Sequence, residues 1–195
     1  MLKYVLSVVL VFGTFQGNNT PKVGRVVVDS PLNSSVIFEY ASIYFPEDTP
    51  LTEKALDCFR SKLQATGLFR DIQIQLIQKE KGNMADVNVT PTWIRQIKDL
   101  VIGEIALEGF DGLDKNQFMN ALYQEGLSRG SLFVDYPVSK IKSMVNEAAY
   151  DIKEQHKAVA STREEKVSQI SCRVTLMAPQ SVRVVVVMGE PDSCN

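Results

Sequence analysis

The side chains best suited to nucleophilic, redox or metal chemistry are three cysteines and a single histidine, and their spacing decides what chemistry is open to the chain. Cys58, Cys172 and Cys194 are far apart, and His156 stands among Glu154, Gln155 and Lys157. A zinc site draws its ligands from closely spaced Cys and His pairs, and that spacing is absent, so no metal site is expected. An odd cysteine count is also too small for the disulfide framework of a stapled mini-protein, which leaves stability to a hydrophobic core. Cys58 falls on the apolar side of an amphipathic segment and Cys172 on the inward side of an alternating one. Both therefore read as small buried hydrophobes. Cys194 is the cysteine most open to reaction, and in an oxidising compartment it could cross-link chains or reach back to Cys172. His156 reads as a solvated surface side chain rather than a general base. A glycine-rich phosphate loop, a nucleophile elbow and a carboxylate pair at recognisable spacing are all missing. The residues thus support no enzyme class, no cofactor and no small-molecule substrate.

Twenty-one basic and 23 acidic residues give a formal charge of -2 with no basic block, which argues against nucleic-acid wrapping and polybasic membrane contact and leaves protein as the expected partner. A hydrophobic content of 45% over 195 residues suits one ordinary domain or two small ones. Met1 to Lys3 is a short cationic start and Tyr4 to Phe12 an almost unbroken apolar run. The run is far shorter than the ~20 residues of a spanning helix, so residues 1–17 read as an export signal peptide. An uncleaved signal or a buried first strand is the competing reading. Residues 18–35, rich in Gly, Pro, Asn and Ser, read as a flexible lead-in holding a short strand at Val23 to Val28.

The elements that follow have definite signatures. Val36 to Phe45 is β-branched and aromatic, which predicts a strand, and Pro46 to Pro50 a turn. Thr52 can cap a helix running to Thr66 whose stripe is Ala55, Leu56, Phe59 and Leu63. Gly67 suits its left-handed end. Ile72, Ile74 and Leu76 alternate with Gln73 and Gln75, and Val87 and Val89 repeat the alternation after a polar turn at Lys79 to Asn83, which makes a hairpin. Trp93, beside Pro91, reads as a residue that packs between units rather than a ligand platform. A second unit begins with a strand at Val101 to Leu107. Asp114 can cap a helix carrying Phe118, Leu122 and Met119. Asp135 and Pro137 open a second helix with Ile141, Val145, Ala148 and Ile152 on one stripe. The charged stretch Lys153 to Lys166 reads as a solvated helix end and loop. Ile170, Cys172, Val174 and Leu176 then face one way and Gln169, Ser171, Arg173 and Thr175 the other. Pro179 marks a turn. Val182 to Met188, apolar on both faces, reads as a central strand.

The order strand, helix, helix, strand, strand from Val101 to Met188 resembles the POTRA (polypeptide-transport-associated) repeat of outer-membrane β-barrel assembly factors. Ile105-Ala106-Leu107-Glu108-Gly109-Phe110 is similar to the first strand and glycine turn of such a repeat. Ala65-Thr66-Gly67-Leu68-Phe69-Arg70-Asp71-Ile72 is similar to the phrase joining its second helix to its second strand. The likeness covers Val36 to Met188 and implies an α+β fold of two small stacked units, each a short mixed sheet with one or two helices on one face. Residues 36–93 would form a first, reduced unit, since no first helix fits between Phe45 and Leu51. Residues 100–189 would form the second unit, and 190–195 a loose tail. The second unit departs from the pattern in lacking a glycine before its second strand. The strands of a membrane barrel do not follow, which implies a free-standing module or a fragment.

By that resemblance the chain is a non-catalytic scaffold, periplasmic or associated with the outer membrane. It would bind an outer-membrane barrel component or unfolded clients by docking an extended segment on a sheet edge. The docking edges implied are Asp71, Gln73 and Gln75 in the first unit and Gln169, Ser171, Arg173 and Thr175 in the second. Gln73→Pro or Ser171→Pro, by removing an edge donor, is expected to weaken capture and spare the fold. Two rivals stand beside it. A secreted protease-inhibitor-like α+β protein would bind through a tip such as Lys79 to Asn83. An enzyme would need Cys58 or His156 in an open cleft.

Overall fold

The computed structural model describes residues 20–32, 34–79, 83–110, 114–157, 170–178 and 180–189. The expected signal segment, Gln169, the hairpin tip at 80–82, Pro179 and Cys194 lie outside them. The described residues divide into two compact units. The first runs through Gln64 and resumes at Phe69–Trp93; the second takes in Ala65–Leu68 and the chain from Ile94.

The first unit runs β1 (Lys22–Val28), α1 (Ser35–Tyr44), α2 (Glu53–Ala65), β2 (Phe69–Gln78) and β3 (Met84–Trp93). The second runs β4 (Val101–Glu108), α3 (Lys115–Gln124), α4 (Val138–Lys157), β5 (Ile170–Ala178) and β6 (Ser181–Met188). Both are strand-helix-helix-strand-strand, and their sheets have matching orders, β1-β3-β2 and β4-β6-β5. The first strand pairs parallel to the last, and the last two pair antiparallel. The chain is α+β with two mixed three-stranded sheets.

One sequence expectation is corrected. Val36 to Phe45 is not a strand but lies in and just after α1, so the first unit carries both helices and is not reduced. Its β-branched and aromatic residues favour strand locally, yet Val36, Ile37, Tyr40 and Ala41 are buried at helical spacing. Tertiary packing of that face overrides weak propensity. The loop from Phe45 to Thr52 then joins two helices instead of a strand and a helix.

The other helix ends follow the sequence. Thr52 Oγ1 accepts the Ala55 N–H at 3.2 Å, and the Asp114 carboxylate accepts those of Asn116 and Gln117 at 2.9 and 3.3 Å. Gly67, at φ 72°, ends α2 in the left-handed region. Phe59 and Leu63 of α2 are fully buried, with the Phe59 ring 4.8 Å from that of Phe45. In the second unit Phe118, Leu122, Ile141 and Val145 are fully buried over Ile102, Val174, Val182, Val184 and Val186. Phe110, just after the Gly109 turn, packs edge-on to Phe118 at 5.0 Å.

The strands β1 and β4 carry the same irregularity. Each bulges once against its central partner, between Val23 and Val26 and between Ile102 and Glu104. A glycine sits in each bulge because the neighbouring strand comes close. A Cβ on Gly24 would collide with the Asp86 carboxylate, and one on Gly103 would meet the Ser181 Cβ at 3.0 Å. The loop after the first helix of each unit then bonds to the free side of that strand. Val23 donates to the Thr49 carbonyl at 2.8 Å and accepts from Asp48, while Ile102 donates to Ser131 at 2.8 Å and accepts from Gly130.

Candidate functional site

Among the described strands β2 pairs only with β3, and β5 only with β6, so each sheet ends in the strand from which the sequence expects docking. Which backbone groups face outward follows from the alternation of an antiparallel ladder. The Lys79 N–H donates to the Met84 carbonyl at 3.0 Å. In the unbroken register from Gln78 back to Asp71, Gln73, Gln75 and Ile77 therefore turn their backbone groups toward β3. Ile72, Ile74 and Leu76 turn theirs away from the sheet. On β5 the Leu176 N–H points outward, donating to the Thr66 carbonyl at 2.7 Å within the second unit. Cys172 and Val174 share that orientation, and Ser171, Arg173 and Thr175 face β6.

This corrects the substitutions suggested by sequence alone. Gln73→Pro and Ser171→Pro would each delete an N–H that belongs to the sheet's own ladder, so both weaken the fold rather than the edge. Positions of the other parity, such as Ile74, carry the outward donors. The side-chain alternation that selects Gln73 and Ser171 reports which face is wet, and the backbone alternation runs in a perpendicular direction.

The side chains of the two edges differ. Gln73 and Gln75 are exposed and Asp71 half-buried, opposite Thr90, Asn88 and Thr92 of β3. The face they form is polar and, from Gln73 to Gln75, uncharged. On β5, Thr175 is exposed, but Ser171 is only 5% exposed, contrary to its expected outward, wet position. The Arg173 guanidinium is ion-paired with the Glu108 carboxylate of β4, reaching across the intervening β6, whose Val185 is 7% exposed. Arg183 Nε lies 3.0 Å from Glu104 Oε1 on the same face. Long side chains thus cover the outer side of the second sheet.

Two acidic residues of the first unit hold backbone groups at its rim. Asp71 accepts the N–H of Ile72 at 2.9 Å, beside an irregularity of register between Phe69 and Asp71. Asp86 on β3 accepts the N–H of Arg25 in the β1 bulge at 2.7 Å and is ion-paired with Lys79 at 3.1 Å. The Arg25 N–H, ahead of the Lys79 ammonium, holds the Asp86 carboxyl below the ordinary carboxylate range, against some desolvation. The role of Asp86 is not legible in the sequence, since Asp86 and Arg25 are 61 residues apart.

The residues singled out for chemistry are dispersed. Cys58 is half-buried on α2 and is disulfide-bonded, so it is not the inert buried hydrophobe expected. Cys172 is a thiol, 2% exposed, on the inner face of β5. His156 falls on the last turn of α4, where side chains lie outside the described set. Trp93 packs against Phe69 with the rings tilted by 44° and centroids 4.5 Å apart, and donates from Nε1 to Ser30 Oγ at 2.9 Å, both partners within the first unit. Among the described residues no cluster of three or more His, Cys, Asp or Glu could hold a metal ion, and no helix is long and apolar enough to cross a membrane.

No family model and no curated protein matches the chain. Solved structures do. The N-terminal domain of Omp85 from the thermophilic cyanobacterium Thermosynechococcus elongatus is 12% identical over 85% of this chain and 61% of that one, with a TM-score of 0.31. POTRA1-2 of the periplasmic domain of Omp85 from Anabaena is 10% identical over 88% and 98%, at 0.32. POTRA3-5 of BamA from Haemophilus influenzae is 10% identical over 88% and 61%, at 0.32. The chain spans about three-fifths of the Omp85 structure from Thermosynechococcus. The likeness lies in element order and strand pairing, repeated in both units. Each unit has a POTRA-like fold.

Proposed function

We propose that the chain is a non-catalytic, exported binding module that captures an extended segment of another protein on the outward edge of β2. The setting is the periplasm or the inner side of the outer membrane, and the captured segment belongs to a barrel component or an unfolded barrel client. The observation that carries the reading is the outward row of backbone groups at Ile72, Ile74 and Leu76, beside the exposed and uncharged side chains of Gln73 and Gln75. Such an edge can add a strand by main-chain hydrogen bonds. The disulfide at Cys58 supports an oxidising compartment and so the export signal. β5 is the weaker candidate, because the Leu176 N–H is already used and Ser171 is buried.

A photo-crosslinking amino acid at Gln75, with a urea-unfolded outer-membrane barrel protein diluted onto the chain, tests the reading. Cross-links should form and should fall at least about fivefold in Ile74→Pro, whose loss is an outward donor and not a ladder bond. Gln73→Pro should instead lower the unfolding midpoint. Cross-linking that persists in a folded Ile74→Pro variant would remove β2 from consideration.

A further inference from the structure

The open stretch of β2 has a chemically distinct beginning. The Ile72 N–H is the first outward donor of the unbroken register, and the Asp71 Oδ1 already accepts it at 2.9 Å. The carboxylate therefore lies along the strand's free margin, where the backbone of an added strand would pass. After it come the Ile72 carbonyl, both groups of Ile74 and the Leu76 N–H, flanked by the neutral side chains of Gln73 and Gln75. The next charge along the strand is Lys79, and it is turned to Asp86 at 3.1 Å. Asp71, with the exposed Arg70 just before it in β2, thus puts the charge at one end of an edge that is uncharged from Ile72 to Gln78.

We infer that Asp71 is the register stop of this edge, and that the strand docked there carries a lysine or arginine where it meets Asp71. The inference rests on the β2 reading above and names the chemistry of its partner. A strand continuing past Ile72 would set a peptide carbonyl against a carboxylate, with the local donor already spent, so pairing ends there. A cationic side chain at that end gains a charge-assisted hydrogen bond to the carboxylate. An acidic one meets like charge across the pair and is disfavoured. Because the polar stretch beyond is uncharged, this contact also sets which way along β2 the partner's charge must lie.

The test uses blocked, fluorescently labelled peptides of alternating valine and threonine, ending at both termini in lysine or in glutamate, so that either strand direction brings the charge to Asp71. Anisotropy titrations on the full chain should show the lysine peptide binding about threefold to fivefold tighter. Asp71→Asn, which keeps an oxygen for the Ile72 N–H, should bring the two within about twofold of each other, and Asp71→Lys should reverse the order. Equal binding by the wild type, or a preference that survives Asp71→Asn, overturns the inference while leaving strand capture intact. Binding of neither peptide overturns strand capture at this edge, and the inference with it.

Discussion

At Asp86 one carboxylate serves two neighbours, the Arg25 N–H in the bulge of β1 and the Lys79 ammonium after β2. Because the folded state lowers its pKa, the stabilisation it brings is present above the ordinary carboxylate range. It is lost as the pH falls through the lowered folded value. Asp86→Asn should therefore lower the urea midpoint at neutral pH, and the gap from wild type should close as the pH drops below that range. A gap independent of pH would assign the effect to packing instead. Gly24 belongs to the same contact, since any Cβ there would strike the carboxylate that fixes the bulge.

Among the elements, α2 offers a core contribution that can be tested cleanly. Phe59 is fully buried against Phe45, and Phe59→Ala should cost about 3–5 kcal/mol, read as a fall in the denaturant midpoint with loss of amide protection in β1, β2 and β3. A cost under about 1 kcal/mol would mean that the first unit's core lies elsewhere. The helix was legible from Thr52, its apolar stripe and Gly67, and the β2–β3 hairpin from its period of two. Helix α1 was not, because seven of its ten residues, Val36, Ile37, Phe38, Tyr40, Ala41, Ile43 and Tyr44, are apolar or aromatic, which blurs a helical stripe into a strand-like run. The outward margin of β2 was half legible. Alternation in Ile72 to Leu76 identifies the strand and its wet face, but backbone direction appears only once the ladder's hydrogen bonds are known, and so the proline positions came out inverted. The burial of Ser171 had no local signal, because the alternation places it on the wet face with Arg173 and Thr175.

For the molecule as a whole, the disulfide at Cys58 is a covalent restraint on the unfolded chain. A chain with the bond reduced should be less stable by about 2–4 kcal/mol, read as a lower unfolding temperature. Cys58→Ser should match the reduced wild type and be insensitive to reductant; a shift on reduction in that variant would point to Cys172 or to another thiol effect. The repeat itself has a further consequence at this scale. In both units a loop occupies the start of the parallel outer strand, Thr49 beside Val23 and Ser131 beside Ile102. A copy offering its β2 margin to the next copy's β1 would find that strand's beginning already taken. Head-to-tail stacking of copies into an open filament thus lacks a full-length acceptor strand.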